Sequence, residues 1–169
     1  MLDGSTQDSK GDRMTHSEEL GGEQNEQVVR RLYEEVFGLG RLELADQLIH
    51  PACRDLHDSQ DRRGPDRVKE VATMLRNAFP DQRWEIQQLV ADGDRIAMYC
   101  TWTGTHDGAF MGIPPTRRQA SVPHMYLFRL KSGQVVEYAA VRDDLGMMQQ
   151  LGLIPARGEK HERGQPAAA

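Results

Sequence analysis

The chain has 169 residues, 38% of them hydrophobic, and a formal net charge of −5, as expected for one globular domain with tails. The acidic balance argues against a nucleic-acid or anionic-membrane surface, because both favour basic patches. No apolar run approaches a membrane span, and the polar N-terminus lacks a signal-peptide core. Cys53 and Cys100 form no C-x-x-C pair, which favours a reducing compartment. We therefore expect a cytoplasmic protein with no nucleic-acid or membrane partner.

The two ends of the chain differ in composition from the middle. Residues 1–22 are polar, rich in Gly, Asp and Glu, and without periodicity, which predicts a disordered extension. Residues 156–169 are predicted to form a second disordered tail. The residues between them, 23–155, are expected to form one domain.

Three helical patterns open this domain. Apolar residues recur at helical spacing over 28–37, and glycines end the pattern. A shorter helix over 42–49 is stopped by a proline, and residues 53–58 form a short strand pattern. The third helix covers 65–79, with a proline where first-turn prolines belong.

Beyond the third helix the apolar residues alternate with polar ones, which is the period of a β-strand. Asp-Gly and Ser-Gly pairs separate neighbouring strands, as in tight turns. The four predicted strands cover 84–90, 95–106, 121–130 and 134–141, and a short helix over 144–151 follows.

Helices that precede a run of antiparallel strands are typical of the α+β class. We predict a cone-shaped roll, in which a strongly bent antiparallel sheet packs on three N-terminal helices and a short C-terminal helix closes the domain. A sheet half wrapped around a helix leaves a conical cavity.

Strand alternation predicts which side chains face this cavity. The inner faces of two neighbouring strands are aromatic and rich in sulfur, the usual composition of a small-molecule pocket. The residues on these faces are Ile96, Met98, Cys100, Trp102 and His106 on one strand, and Val122, His124, Tyr126 and Phe128 on the next. We therefore expect a small hydrophobic substrate.

The last strand ends in two aspartates directly before the short helix. By alternation Asp143 shares a face with Val135 and Val141, so its carboxylate can lie at the mouth of the pocket. There it can act as a general base without metal or cofactor. The alternative role is helix capping, because Asp before an apolar run is a good N-cap. We assign capping to Asp144 and the pocket position to Asp143.

The other candidate residues also have structural alternatives. His124 can be a strand histidine held by a backbone partner, and His57 a polar residue at a strand edge. Trp102 and Met147 can belong to the core. The histidines and cysteines show no metal-ligand spacing, and no phosphate-binding or dinucleotide motif occurs. We expect no cofactor and no metal.

Several spaced segments carry a family resemblance. They are 78–81, 93–95, 104–116, 128–129 with Gly133, and 143–152. In this order they resemble the SnoaL-like polyketide cyclase, or ester cyclase, family over residues 25–155. The resemblance implies the cone-shaped α+β fold that this family shares with nuclear transport factor 2 and ketosteroid isomerase.

The resemblance also implies cofactor-free chemistry, an intramolecular aldol condensation that closes the last ring of an aromatic polyketide ester. The family's catalytic aspartate lies seven residues before the Gln of a Gln-Leu-Gly segment, which is Asp143 in this chain. A poorly hydrated carboxylate would be a stronger base. His124 and Tyr126 would donate hydrogen bonds to the enolate, and His57 would orient a substrate oxygen.

The candidate set is thus catalytic Asp143 and His124, with substrate-binding His57, Trp102, Phe110, Tyr126 and Met147.

Two residues depart from the family pattern. Many members have Gly after Pro-Pro-Thr, where this chain has Arg117, a cation that would lie at the entrance. Many have Trp four residues before the aspartate, where this chain has Ala139, which would remove part of the pocket wall.

Other functions remain open on the same fold. One is an isomerase that uses the same aspartate, and another is a non-catalytic small-molecule-binding or interaction module. A third is a cofactor-free hydroxylase or another ring-forming enzyme. The open sheet also allows a homodimer or a higher homo-oligomer that pairs through its outer face.

Overall fold

A computed structural model describes residues 21–155 of the chain. Residues 1–20 of the predicted extension and the whole predicted tail, 156–169, lie outside this part. Residues 21 and 22 are already helical, so the first helix includes the last two residues assigned to the extension.

The helical segments within 21–155 follow the predicted order. Helix α1 covers 21–31 and continues as the π-helix Leu32–Gly38. Helix α2, Ala45–Leu48, follows a 3-10 turn at Leu42–Leu44. Helix α3 covers Gly64–Ala78, and helix α4 covers Asp144–Gln150. The π-helical part of α1 buries Tyr33, Val36 and Phe37 against the sheet. Short π-helical stretches are rare and frequently lie at functional sites.

Among the described residues, five strands form one curled, open sheet. The strands are β1, Ile49–Asp55; β2, Arg83–Asp92; β3, Arg95–Thr105; β4, Gln119–Lys131; and β5, Gln134–Arg142. Their order across the sheet is β1-β5-β4-β3-β2. Strands β2 to β5 are antiparallel as predicted, whereas β1 pairs parallel to β5. The predicted α+β fold is confirmed, and the expectation of a wholly antiparallel sheet is wrong at β1.

The core lies between the concave face of the sheet and helices α1 and α3. A larger cluster joins these helices to β3 and β4, and a smaller cluster gathers Phe79, Trp102, Phe110, Val122 and Leu151. Alternate residues of β3 and β4 are buried. The predicted inner faces of these two strands are therefore confirmed.

The predicted alternation of β5 is wrong beyond its first residues because the strand contains a bulge. Leu130 of β4 pairs with Val135, but the preceding Arg129 pairs with Glu137. Val136 is therefore an extra residue without an opposite partner. One extra residue exchanges the inner and outer faces of the rest of a strand.

The bulge changes which residues of β5 face the interior. Tyr138 and Ala140 join the inner face, whereas Val141 is 71% exposed. Ala139 pairs with Leu127, which lies on the outer face. Ala139 is therefore not part of the inner wall, and the expectation that it removes part of the pocket is wrong.

The loop between β3 and β4 explains the other departure from the family pattern. Arg117 has a φ of 61°, in the left-handed region where glycine is unstrained and other residues are disfavoured. This backbone conformation is a physical reason for glycine at the position in many relatives. The Arg117 guanidinium pairs with the Asp107 carboxylate at 3.0 Å.

Candidate functional site

Ring side chains from α1, β2, β3 and β4 meet inside the curl of the sheet. The Trp84 ring centroid lies 5.0 Å from that of Tyr33 and 5.3 Å from that of His124. The His124 ring is stacked over Trp102 with an interplanar angle of 9°. We call Tyr33, Trp84, Trp102, His124 and Tyr126 the aromatic cluster. The predicted convergence of the β3 and β4 inner faces produces this cluster.

His124 and Tyr126 form a buried pair at the centre of the cluster, with His124 Nδ1 3.0 Å from the Tyr126 hydroxyl oxygen. Burial, together with the Arg142 charge, lowers the pKa of His124 to about 4, and the Asp143 charge opposes the shift. Burial raises the pKa of Tyr126. At neutral pH the imidazole is therefore uncharged and the phenol keeps its proton. When the phenol donates to Nδ1, the ring proton is on Nε2, which can donate.

Tyr33 lies next to this pair and was not among the predicted site residues. Its ring centroid is 5.0 Å from that of Tyr126, and burial raises its pKa. It shares the buried face of α1 with Val29, four residues earlier. Helical spacing from Val29 is therefore the sequence signal that identifies Tyr33 as inward-facing.

Asp143 lies at the junction of β5 and α4, where it caps the helix. Its Oδ1 accepts a hydrogen bond from the Gly146 N–H at 2.8 Å. Asp144 is the first residue of α4, and its carboxylate lies 3.5 Å from the Arg142 guanidinium. The assignment of the cap to Asp144 is therefore wrong, because the helix begins one residue earlier than that assignment requires.

The Asp143 carboxylate is exposed rather than poorly hydrated, and glycine at 146 allows its position. A Cβ atom on Gly146 would overlap Asp143 Oδ2. The carboxylate therefore lies flat against the first turn of α4, at a distance that no side chain at 146 permits. The Asp143 N–H donates to the carbonyl of Pro123, the residue before His124 on β4, at 3.4 Å, and the Asp143 charge opposes the lowering of the His124 pKa. Asp143 therefore lies next to the His124 end of the aromatic cluster, although the bulge in β5 removes the shared inner face with Val135 and Val141 from which this position was predicted.

Of the other predicted residues, the structure brings Trp102, His124 and Tyr126 together. Phe110 and Met147 pack in the smaller core cluster, which Trp102 connects to the aromatic cluster. His57 is exposed in the turn after β1, where its N–H donates to the Asp55 carboxylate. Since β1 runs parallel to β5, His57 lies beyond the same end of the sheet as Asp143.

With this geometry established, comparison with known proteins identifies the family. The sequence profile of the SnoaL-like polyketide cyclase family matches residues 27–151. The chain belongs to this family. A characterised relative, the nogalonic acid methyl ester cyclase of Streptomyces nogalater, is 27% identical over 119 residues. The alignment covers 69% of this chain and 89% of the relative.

Solved structures agree with the family assignment. IdmH of Streptomyces antibioticus, a candidate polyketide cyclase, is 30% identical with a TM-score of 0.66, covering 76% of this chain and 99% of its own. A candidate SnoaL-like polyketide cyclase from a Jannaschia species is 26% identical with a TM-score of 0.72, covering 90% of this chain and all of its own. The predicted family is confirmed, and membership supports a cyclase-like function.

The Gln-Leu-Gly segment of this SnoaL-like domain attaches α4 to the sheet. The Gln150 side-chain amide accepts from the Ser121 N–H at 2.8 Å and donates to the Ser121 carbonyl at 3.0 Å. Leu151 is fully buried in the smaller core cluster. These contacts hold α4 against β4 and thereby fix the Asp143 carboxylate relative to His124.

Other surfaces of the SnoaL-like domain lie apart from this site. An open groove on α3, lined by residues such as Asp66, Lys69 and Met74, shares no residue with the aromatic cluster. Within 21–155, no group of three or more His, Cys, Asp or Glu is arranged to hold a metal ion. No helix of the described residues is long and apolar enough to cross a bilayer.

Proposed function

We propose that the chain is a cofactor-independent cyclase that closes a ring in an aromatic polyketide ester by an intramolecular aldol-type reaction. The observation that carries this proposal is the Asp143 carboxylate at the edge of an aromatic cluster whose centre is the uncharged His124–Tyr126 pair. A carboxylate base beside neutral hydrogen-bond donors suits proton removal from carbon.

In the proposed reaction, Asp143 removes a proton from a carbon next to a substrate carbonyl, and the electron pair moves into that carbonyl. His124 Nε2–H donates a hydrogen bond to the resulting enolate oxygen. The enolate carbon then attacks a second carbonyl of the same molecule, which forms the new C–C bond. The alkoxide takes the proton back from Asp143, so the addition is balanced and conserves mass.

The arrangement of the cap is compatible with this role. Oδ1 of Asp143 accepts from Gly146, whereas Oδ2 receives no hydrogen bond from the described residues, so Oδ2 is the proposed base. A bound substrate would cover the exposed carboxylate and reduce its hydration. Trp102 and Tyr126 would contact the flat rings, Phe110 and Met147 would bound the apolar end, and His57 would orient an outer oxygen.

The experiment is turnover of nogalonic acid methyl ester, the substrate named for the relative, by the purified chain without added cofactor. We expect a ring-closed isomer of unchanged mass, separated by chromatography and identified by NMR. Conversion no faster than in buffer would contradict the proposal for this substrate.

A second candidate, a non-catalytic small-molecule-binding module, is favoured by the exposure of Asp143 and by its use as a helix cap. A binding module would bind the same ester in a saturable titration without forming product. Turnover that depends on Asp143 would exclude it.

We also propose a homodimer that pairs through the outer face of the sheet. On this face Tyr99, Met125 and Val141 are cross-strand neighbours, and Leu127 lies beside them. All four are exposed, Met125 by 55% and Leu127 by 45%. A contiguous exposed apolar face of this kind is typical of an interaction surface.

Replacing Leu127 by Lys is expected to weaken the dimer about tenfold or more, because two charges would be buried at the interface. Sedimentation velocity over a range of concentrations measures the dissociation constant. Leu39→Lys is the matched control, since Leu39 is 62% exposed away from this face. A wild-type chain that sediments as a monomer at all concentrations would contradict the dimer.

The cytoplasm is the proposed location. Cys53 and Cys100 are buried thiols that form no disulfide, as is usual in a reducing compartment.

A further inference from the structure

The two tryptophans of the chain differ in what their indole N–H groups contact. Trp84 and Trp102 are direct cross-strand partners on β2 and β3. Trp102 Nε1 donates to the Gln82 side-chain oxygen at 3.1 Å, and Gln82 in turn donates to the Phe37 carbonyl. Trp84 Nε1 is buried and has no hydrogen-bond partner among residues 21–155.

An unpaired buried donor is unusual, because buried polar groups in native proteins are nearly all hydrogen-bonded. The groups around Trp84 do not supply an acceptor. Its neighbours Tyr33 and Phe37 present aromatic rings. In the tautomer in which Tyr126 donates to Nδ1 of the nearby His124, the imidazole proton is on Nε2, so this ring is a donor as well.

The ring that carries this donor belongs to the candidate site. Its ring meets that of His124 edge to face, with centroids 5.3 Å apart and an interplanar angle of 69°. Two N–H donors, one from β2 and one from β4, therefore lie on adjacent rings of the aromatic cluster. Strand β2 is an edge strand and the Trp84 side chain is only partly buried, so part of the ring faces solvent where a ligand can approach.

We propose that Trp84 Nε1–H donates a hydrogen bond to a carbonyl oxygen of the bound substrate, beside the oxygen that His124 contacts. This inference rests on the proposed function, which locates the substrate in the aromatic cluster. The ligand class is a planar aromatic ester with two oxygens on one edge, such as a ketone and a neighbouring phenol or quinone oxygen. A substrate without the second oxygen leaves the Trp84 donor unpaired and binds less tightly.

The first test reads the two indole N–H groups directly. The full chain, labelled with ¹⁵N in tryptophan, gives two indole N–H signals. The variants Trp84→Phe and Trp102→Phe each lack one of the two signals and so assign both. Titration with nogalonic acid methyl ester is expected to shift the Trp84 indole proton downfield and to slow its exchange with solvent about tenfold or more. The exchange rate of the Trp102 N–H should stay the same, because Gln82 already accepts its hydrogen bond.

The outcomes separate this inference from the proposed function. If the ester binds saturably, or is turned over, while the Trp84 signal stays unchanged, the Trp84 contact is wrong and the proposed function stands. An acceptor already present in the free protein, such as a buried water or a ring face, would give this unchanged signal. If the ester neither binds nor reacts, the proposed function fails for this substrate and the inference fails with it.

The second test is kinetic. Trp84→Phe keeps an aromatic ring and removes the N–H, and we expect kcat/KM to fall about a hundredfold with no loss in the thermal unfolding midpoint. Trp102→Phe is the matched control, because it leaves the Gln82 oxygen without its donor and should lower the midpoint. Wild-type kcat/KM in Trp84→Phe would overturn the inference. If Trp84→Phe fails to fold, substituting benzothienylalanine at 84 exchanges N–H for sulfur at nearly constant shape, with the same expected loss.

Discussion

Replacing Asp143 by Asn is expected to reduce turnover of an aromatic polyketide ester about a hundredfold or more, the usual contribution of a general base. The fold should not change. Asn is as good an N-cap as Asp, so the hydrogen bond from the Gly146 N–H and the start of α4 are retained. Product formation under substrate saturation measures the effect, with urea unfolding as the control for stability.

Two further variants separate the base from the cap. Asp143→Ser keeps a capping oxygen and has no carboxylate, so it should be as inactive as Asp143→Asn and nearly as stable as the wild type. Asp143→Ala removes both functions and should lose about 1 kcal/mol of stability as well. If Asn and Ser variants keep full turnover while only the Ala variant loses it, Asp143 is a structural cap and the proposed mechanism is wrong.

The free energy of unfolding is expected to fall by about 3 kcal/mol between pH 6.5 and pH 4 because of His124. The folded protein holds the pKa of His124 at about 4, below its ordinary value of 6.5. In this window the unfolded chain binds a proton at His124 that the folded chain does not. Stability due to the neutral imidazole is therefore fully present above pH 6.5 and is lost as the pH falls to about 4.

His124→Gln is the variant that isolates this contribution, because Gln does not titrate and can still hydrogen-bond to Tyr126. Urea unfolding at a series of pH values should give a shallower pH dependence for the variant. Carboxyls with lowered pKa values, among them Asp81 and Glu137, add acid sensitivity at lower pH in both proteins. Equal slopes for the two proteins between pH 6.5 and 4 would contradict the assignment of a neutral, buried His124.

Strand periodicity predicted the inner faces of β3 and β4 because both strands keep strict alternation. It failed on β5 because Val136 is an extra residue, and a valine bulge has no signature in the sequence. The same shift explains the error at Ala139, whose face depends on that bulge. Helix ends limited the prediction in a similar way, since one residue in the start of α4 decides which aspartate is the cap.

The composition of the site was only partly predictable. Alternation on two neighbouring strands, which pair across a short sequence distance, predicted the inward position of His124, Tyr126 and Trp102. Tyr33 and Trp84 join them only because α1 and the edge strand β2 fold over the same end of the sheet. Such contacts between distant elements depend on tertiary packing, as does the parallel pairing of β1, so local patterns did not predict them.

The parallel pairing of β1 has a consequence for synthesis on the ribosome. The Arg54 side chain of β1 bonds to Glu137 of β5, 83 residues later in the chain. At ordinary translation rates, the ribosome needs roughly 4–16 s to add the residues between Arg54 and Glu137. During this time one strand edge is open to pairing with other nascent chains. The order of synthesis thus leaves β1 without its only neighbouring strand in the described sheet until β5 is complete.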